Sequence, residues 1–195
     1  MARYKGPVLK RARALGLAPQ VLGINKKSNK NPGKGKNKLS EYGLQLKEKQ
    51  KAKFVYGILE KQFRKVYKTA EKMSGITGEN LLQLLELRFD NVVYRMGFAK
   101  TRNEAKQLIS HGHFLVNGSK VDIPSYRLAQ GDVITVREKS RRNGIFKYTE
   151  DKVWNQAKWV SVDTEKLEGK VESNPNREDI DFEINEQLIV ELYSR

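Results

Sequence analysis

The side chains of this chain that could do chemistry are few, and most are cations. Its two histidines, His111 and His113, stand either side of Gly112, and no further ligand is recognisable near them, so they make no metal site. There is no cysteine, which excludes disulfides and thiolate metal sites and fits a reducing compartment. Gly33-Lys-Gly35 is too short for a phosphate-binding loop and lacks its Lys-Ser/Thr ending. No Ser/His/Asp arrangement supplies a nucleophile, and no cofactor is expected. Lys and Arg, by contrast, number 38 against 23 Asp and Glu, a formal net charge of +15. Such an excess repels itself, and a polyanionic partner is its natural counterweight.

The charge is graded along the chain. Residues 1–53 hold 15 Lys/Arg against only Glu41 and Glu48, residues 54–150 hold 17 against 10, and residues 151–195 hold 6 against 11. A basic arm, a moderately basic middle and an acidic tail predict an oriented binding surface. In the arm the candidate contacts are Arg3, Tyr4, Lys5, Lys10, Arg11, Arg13, Lys26 and Lys27. Ile24 to Lys38 carries six Lys and no acid, so free in solution it should be disordered and should order on a polyanion. Met1–Pro7 has no apolar h-region, and no apolar run approaches the roughly 20 residues of a membrane span. A soluble intracellular, cytoplasmic protein is the expectation.

The elements that position these cations follow from periodicity. From Ser40 to Met73, Val55, Ile58, Leu59, Phe63, Val66, Ala70 and Met73 recur at three and four, which predicts one amphipathic helix ended by Ser74-Gly75. Lys51, Lys61, Arg64, Lys65, Lys68 and Lys72 occupy much of its polar circumference, with Lys47, Lys49, Lys53, Arg64 and Lys65 the candidate contacts, while Tyr56, Phe63 and Tyr67 keep step with its apolar side. A second helical run carries Leu81, Leu82, Leu85, Phe89, Val92, Val93 and Met96, with a break near Arg88–Asp90. Thr101 and Glu104 form a capping box for a third helix, with Ala105, Leu108 and Ile109 inward and Gly112 at its end. This helix is expected to expose Lys100, Arg102 and Lys106 beside Thr101, where free N–H groups favour anions.

Beyond Gly112 the period becomes two. Phe114–Val116, Asn117-Gly118 and Ser119–Val121 predict a type I′ hairpin, and Val133–Val136 a further strand. Shorter β pieces are expected at Trp159–Val162 and Leu167–Val171. Trp154 and Trp159 could stack on bases, but burial against the sheet is the favoured reading. Asn185 caps a last helix whose apolar face is Leu188, Ile189 and Leu192.

Thr101-Arg-Asn-Glu-Ala-Lys-Gln-Leu-Ile-Ser-His-Gly-His-Phe-Leu-Val-Asn-Gly118 resembles the alpha-L RNA-binding module, a helix pair leading into a small antiparallel sheet. Met1-Ala-Arg-Tyr-Lys-Gly-Pro7, Lys38–Gln50, Gly78–Leu85, Arg88–Gly97 and Asn185–Ser194 narrow the resemblance to the bacterial-type small-subunit ribosomal protein number four. It runs in order along nearly the whole chain and is weakest over residues 15–37. It implies an α+β fold: an all-helical domain, an inserted alpha-L and antiparallel-sheet domain, and a basic, extended N-terminal arm. The expected boundaries are 1–39 for the arm, 40–87 completed by 175–195 for the helical domain, and 88–174 for the insert. It also implies a non-enzymatic constituent of the small ribosomal subunit. Such a protein binds 16S-type rRNA at a junction of its 5′ domain, nucleates assembly and supports accurate translation. The implied partners are that rRNA, small-subunit ribosomal protein number five and other small-subunit proteins, with the site where mRNA enters nearby and the ribosome of an organelle not excluded.

By that resemblance His111, His113 and Asn117 join Lys100, Thr101, Arg102 and Lys106 as RNA contacts. Many members of the family carry an N-terminal zinc site of four Cys, the first pair just after the Gly-Pro. Here that stretch reads Val8-Leu-Lys-Arg-Ala-Arg13, so the arm must find its order without metal. Two other readings share the module: an extra-ribosomal RNA chaperone, and an accessory of an RNA-modifying enzyme. The second needs a catalytic domain, and outside the module the residues form helices and basic arms. Affinity should come from phosphate neutralisation, and specificity from the shape of a folded junction.

Overall fold

The computed structural model describes Tyr4, residues 6–26, 39–142, Gly144, Phe146 and 157–194. Arg3, Lys5, Lys27, most of the Lys-rich segment to Lys38, and Trp154 lie outside the described residues. The chain divides into two compact units, residues 1–82 with 180–195, and residues 83–179.

The first unit is helical. It contains α1 (Val8–Leu15), a 3-10 turn (Pro19–Leu22), α2 (Glu41–Tyr56), α3 (Glu60–Glu71), the start of α4 (Thr77–Glu86) and, at the far end of the chain, α8 (Glu186–Ser194). The single helix expected over Ser40–Met73 is two. Gly57 takes φ +60°, and its N–H and that of Ile58 return to the carbonyls of Phe54 and Lys53, a Schellman ending that buries Ile58. Apolar spacing runs through this break without a signal because Ile58 and Leu59 keep the helical phase. The expected extended arm is also corrected. Val8–Leu15 and Pro19–Leu22 are helical, and α1 packs on α2: Ala12 is 0% exposed, Leu15 and Leu17 are buried, and Arg11 Nη2 donates to Gln50 Oε1 at 3.1 Å. Arg11 also lies over the rings of Tyr4 and Phe54, at 5.0 and 5.5 Å from their centroids.

The return of the C-terminus to α2 is explicit. Gln45 Nε2 donates to Glu191 Oε2, Lys51 Nζ to the Glu183 carbonyl, and the Asn185 N–H to Glu48 Oε2. Asn185 caps α8 as expected, its Oδ1 accepting from the N–H groups of Gln187 and Leu188.

In the second unit the chain continues through α5 (Phe89–Arg95), α6 (Arg102–Ser110), β1 (Phe114–Val116), β2 (Ser119–Lys120), β3 (Val133–Val136), α7 (Glu138–Arg141), β4 (Val160–Asp163) and β5 (Glu168–Val171). The break between α4 and α5 falls where expected. The strands make one antiparallel sheet in the order β2-β1-β3-β5-β4. Asn117 and Gly118 have φ +49° and +79°, the geometry a type I′ turn demands. The core is aromatic and aliphatic: Phe89, Phe98, Phe114, Phe146, Val93, Ile109 and Ile134 pack together with Trp159, which is buried as expected. Gly169 leaves room on β5 for Met96, whose Sδ would stand 2.5 Å from an added Cβ. Among the described residues, no helix is long and apolar enough to cross a membrane.

Candidate nucleic-acid interface

The clearest cationic surface is on α3. Lys61, Arg64, Lys65, Lys68 and Lys72 recur at three and four and are exposed, while Phe63, Tyr67 and Ala70 are buried on the opposite side. Among the described residues none of these five cations is in an ion pair. Arg64 and Lys65 were expected here. Lys61, Lys68 and Lys72, which helical spacing puts on the same polar circumference but which are not among the expected contacts, belong to the same row.

Lys49 and Lys53, by contrast, are committed within the fold. Both reach Glu60, at 3.1 and 2.7 Å, and the Tyr193 hydroxyl donates to the same carboxylate at 2.8 Å. Partial burial alone would raise the Glu60 pKa, but the hydrogen bonds from Lys53, Tyr193 and Lys49 hold it at about 2. Burial, with that carboxylate alongside, pushes the Tyr193 hydroxyl well up. Tyr193 also stacks on Tyr67 at 4.5 Å, so this hub ties α8 to α2 and α3. Lys47 is half-buried with no ion pair among the described residues, while Lys10 and Lys26 are exposed. Arg13 turns back to the Leu9 carbonyl.

In the second unit the expected exposure of Arg102 is overturned. Arg102 is 5% exposed, its Nε donates to Asn91 Oδ1 at 2.7 Å, and its guanidinium lies 4.3 Å from the centroid of Tyr94. Asn91 donates in turn to Glu86, whose carboxylate takes two hydrogen bonds from Arg95 at 2.9 Å. Lys106 is nearly buried too, its Nζ 3.7 Å from Asp90, and that carboxylate is held bidentately by Arg88. Burial lowers the Lys106 pKa, Asp90 opposes, and Arg88 and Arg102 lower it further. Buried charges persist only when paired, and here two nets pin α6 to α5. Nothing in a basic helix face distinguishes a strut from a phosphate contact until α5 is folded against it.

Of the cations expected around the start of α6, only Lys100 is exposed. Thr101 accepts from the Glu104 N–H at 3.1 Å, and Glu104 reaches back to the Lys100 N–H, one residue beyond the usual partner of a capping box. At the turn after α6, His111 is exposed and His113 Nδ1 lies 3.0 Å from Ser140 Oγ. Burial, then His111 and Arg137, lowers the His113 pKa, so at neutral pH it offers a hydrogen bond rather than a charge. Lys120 and Arg137 flank this turn, with Arg137 donating to the Gly112 carbonyl at 3.1 Å. Asn117 is used internally: its amide donates to Asp132 and accepts from the Val133 N–H. No group of three or more His, Asp or Glu among the described residues could hold a metal.

Comparison with known proteins matches two adjoining stretches of the chain. Residues 3–86 match the family described as the ribosomal protein S4/S9 N-terminal domain, and residues 87–134 match the S4 domain. Over the full length of both chains, this one is 52% identical to the small ribosomal subunit protein uS4 of Lachnospira eligens and 54% identical to that of Lachnoclostridium phytofermentans. It is 61% identical to uS4A of Alkaliphilus oremlandii over 84% of this chain and 79% of that one.

Proposed function

Because the chain belongs to the uS4 family of small ribosomal subunit proteins, a structural and non-enzymatic family, we propose that it binds 16S-type rRNA at a folded junction of the 5′ domain and nucleates subunit assembly there. The observation that carries the RNA contact is the α3 row of five exposed cations without ion pairs among the described residues. Lys10 and Lys26 are further cationic contacts of the helical unit; in the second unit Lys100 is exposed, and His111 stands beside Lys120 as a further contact. Arg3, Lys5 and Lys27 remain assigned to the arm. Arg102 and Lys106 brace α6 against α5, and Asn117 holds its own turn to Asp132 and Val133, instead of touching phosphate. A ribosome in the cytoplasm is the setting of this reading.

Support for translational accuracy follows from neighbours. The acidic stretch 163–191 suits a protein surface better than a phosphate backbone. Small-subunit protein number five, close to where mRNA enters, is the proposed partner for it. The decisive experiment is footprinting of the purified protein on naked small-subunit rRNA. Protection of one junction, with affinity falling about 10³–10⁵-fold between 50 and 200 mM salt for six to ten phosphate contacts, is the expected result. A flat salt response, or protection scattered over the whole RNA, overturns it. Retention on small subunits through a high-salt gradient separates a ribosomal constituent from a chaperone, which washes off.

A further inference from the structure

The loop between β2 and β3 carries a side-chain cluster that neither folding nor the basic surfaces above use. Pro124 and Tyr126 turn their carbonyls to the start of α5, accepting from the N–H groups of Asp90 and Phe89 at 3.0 and 2.9 Å. The Tyr126 N–H closes a turn on the Ile123 carbonyl at 3.0 Å, and Leu128 donates to the Leu87 carbonyl and is buried. Arg127 pairs with Arg88 as an isolated antiparallel bridge. The backbone of 123–128 is therefore fixed at both ends and in the middle. α5 has no side-chain cap, so these carbonyls also satisfy donors that would otherwise be orphaned.

On this fixed backbone the side chains point away from the core. Ile123 is 55% exposed and Tyr126 42% exposed, and Arg127 is exposed. Among the described residues the Tyr126 hydroxyl has no hydrogen-bond partner, its ring has no aromatic neighbour, and Arg127 has no ion pair. An aromatic ring on a rigid loop loses little entropy on contact, and a guanidinium at the next position offers charge to a phosphate or a planar face to a base. We infer that Tyr126, with Arg127 beside it, is a stacking platform for an unpaired nucleobase of the bound RNA. The charge favours RNA over a protein occupant, since the nearby Asp122 carboxylate already faces Lys120 at 3.6 Å. The platform rests on the RNA-binding reading above, adding to phosphate neutralisation one contact that salt does not screen.

The test uses the full chain and a small-subunit rRNA transcript, with affinity measured across a salt series for the wild type, Tyr126→Leu, Tyr126→Phe and Arg127→Gln. Thermal midpoints come first; Tyr126 anchors the loop through its carbonyl, so all variants should melt together. Stacking predicts that Tyr126→Leu loses about 5- to 150-fold in affinity with its salt slope unchanged, and that Tyr126→Phe binds as the wild type does. Arg127→Gln should lower the slope by about one. Equal losses in Leu and Phe variants would mean that the hydroxyl is read, not the ring, and overturn the proposal. So would unchanged RNA affinity of Tyr126→Leu, together with poorer incorporation into small subunits, which marks a protein contact. If the wild type itself shows no steep salt dependence, it is the RNA-binding reading that fails instead.

Discussion

A guanidinium in the first turn of a short helix serves equally as a phosphate grip or as a strut, and its neighbours decide which. Arg102 lies between Asn91 and Tyr94, so Arg102→Ala should cost about 1–3 kcal/mol in urea unfolding by stranding the Asn91 oxygen, and should leave the RNA salt slope unchanged. Arg64 on α3 is the converse case. Arg64→Ala should reduce the salt slope by about one while the unfolding midpoint stays in place. The two variants together separate the roles that a residue count merges. Glu86 bears a heavier duty, as a fully buried carboxylate facing Arg95. Glu86→Gln removes one charge of this buried pair, and about 3–5 kcal/mol of stability should be lost in the same measurement.

Among the elements, the N-terminal helix departs furthest from the extended arm that its composition suggests. Three apolar residues among basic ones, Ala12, Leu15 and Leu17, are enough to hold α1 and the chain after it on α2. Arg11 adds its bond to Gln50 and its place over Tyr4 and Phe54. Family members with four Cys can staple this region with metal; here side-chain packing takes that part. Deleting residues 1–22 should therefore lower the thermal midpoint, where a purely RNA-ordered arm would leave it unmoved. The hairpin and the caps behaved differently. Asn117-Gly118, Thr101 and Asn185 act through bonds to residues within a few positions, which is why they are legible without tertiary context.

At the scale of the molecule, acid should loosen the helical unit through Glu60 while the net positive charge only grows, because the groups it protonates are carboxylates and histidines. Glu60 has an ordinary pKa of 4.5 when unfolded and about 2 in the fold. A depressed carboxyl contributes stability above its unfolded value and loses it as pH falls from about 4.5 towards 2. The side chain is still 45% exposed, so water screens the contribution and keeps it modest. Glu60→Gln should flatten the acid limb of thermal stability in this window, as followed by circular dichroism. Affinity for RNA belongs to the same scale, because it sums over many cations and is set by ionic strength more than by any one of them.

Composition, charge gradient, helical phase and the turn dipeptide determined by themselves that this chain has a helical part, a capped helix leading into a hairpin sheet, and a polyanionic partner. These are local or additive properties, carried by neighbouring residues or by sums over the chain. Tertiary structure alone decided which cations are free for that partner. Arg102 and Lys106 sit on a basic helix face, yet Asn91, Tyr94 and Asp90 on α5 take them inward. Lys49 and Lys53 are claimed by Glu60 across the Gly57 turn. Tyr126 goes the other way, left outward because its backbone is spent on the start of α5. A cation or ring becomes a site only when the fold gives its side chain nothing else to satisfy, and that depends on partners distant in sequence.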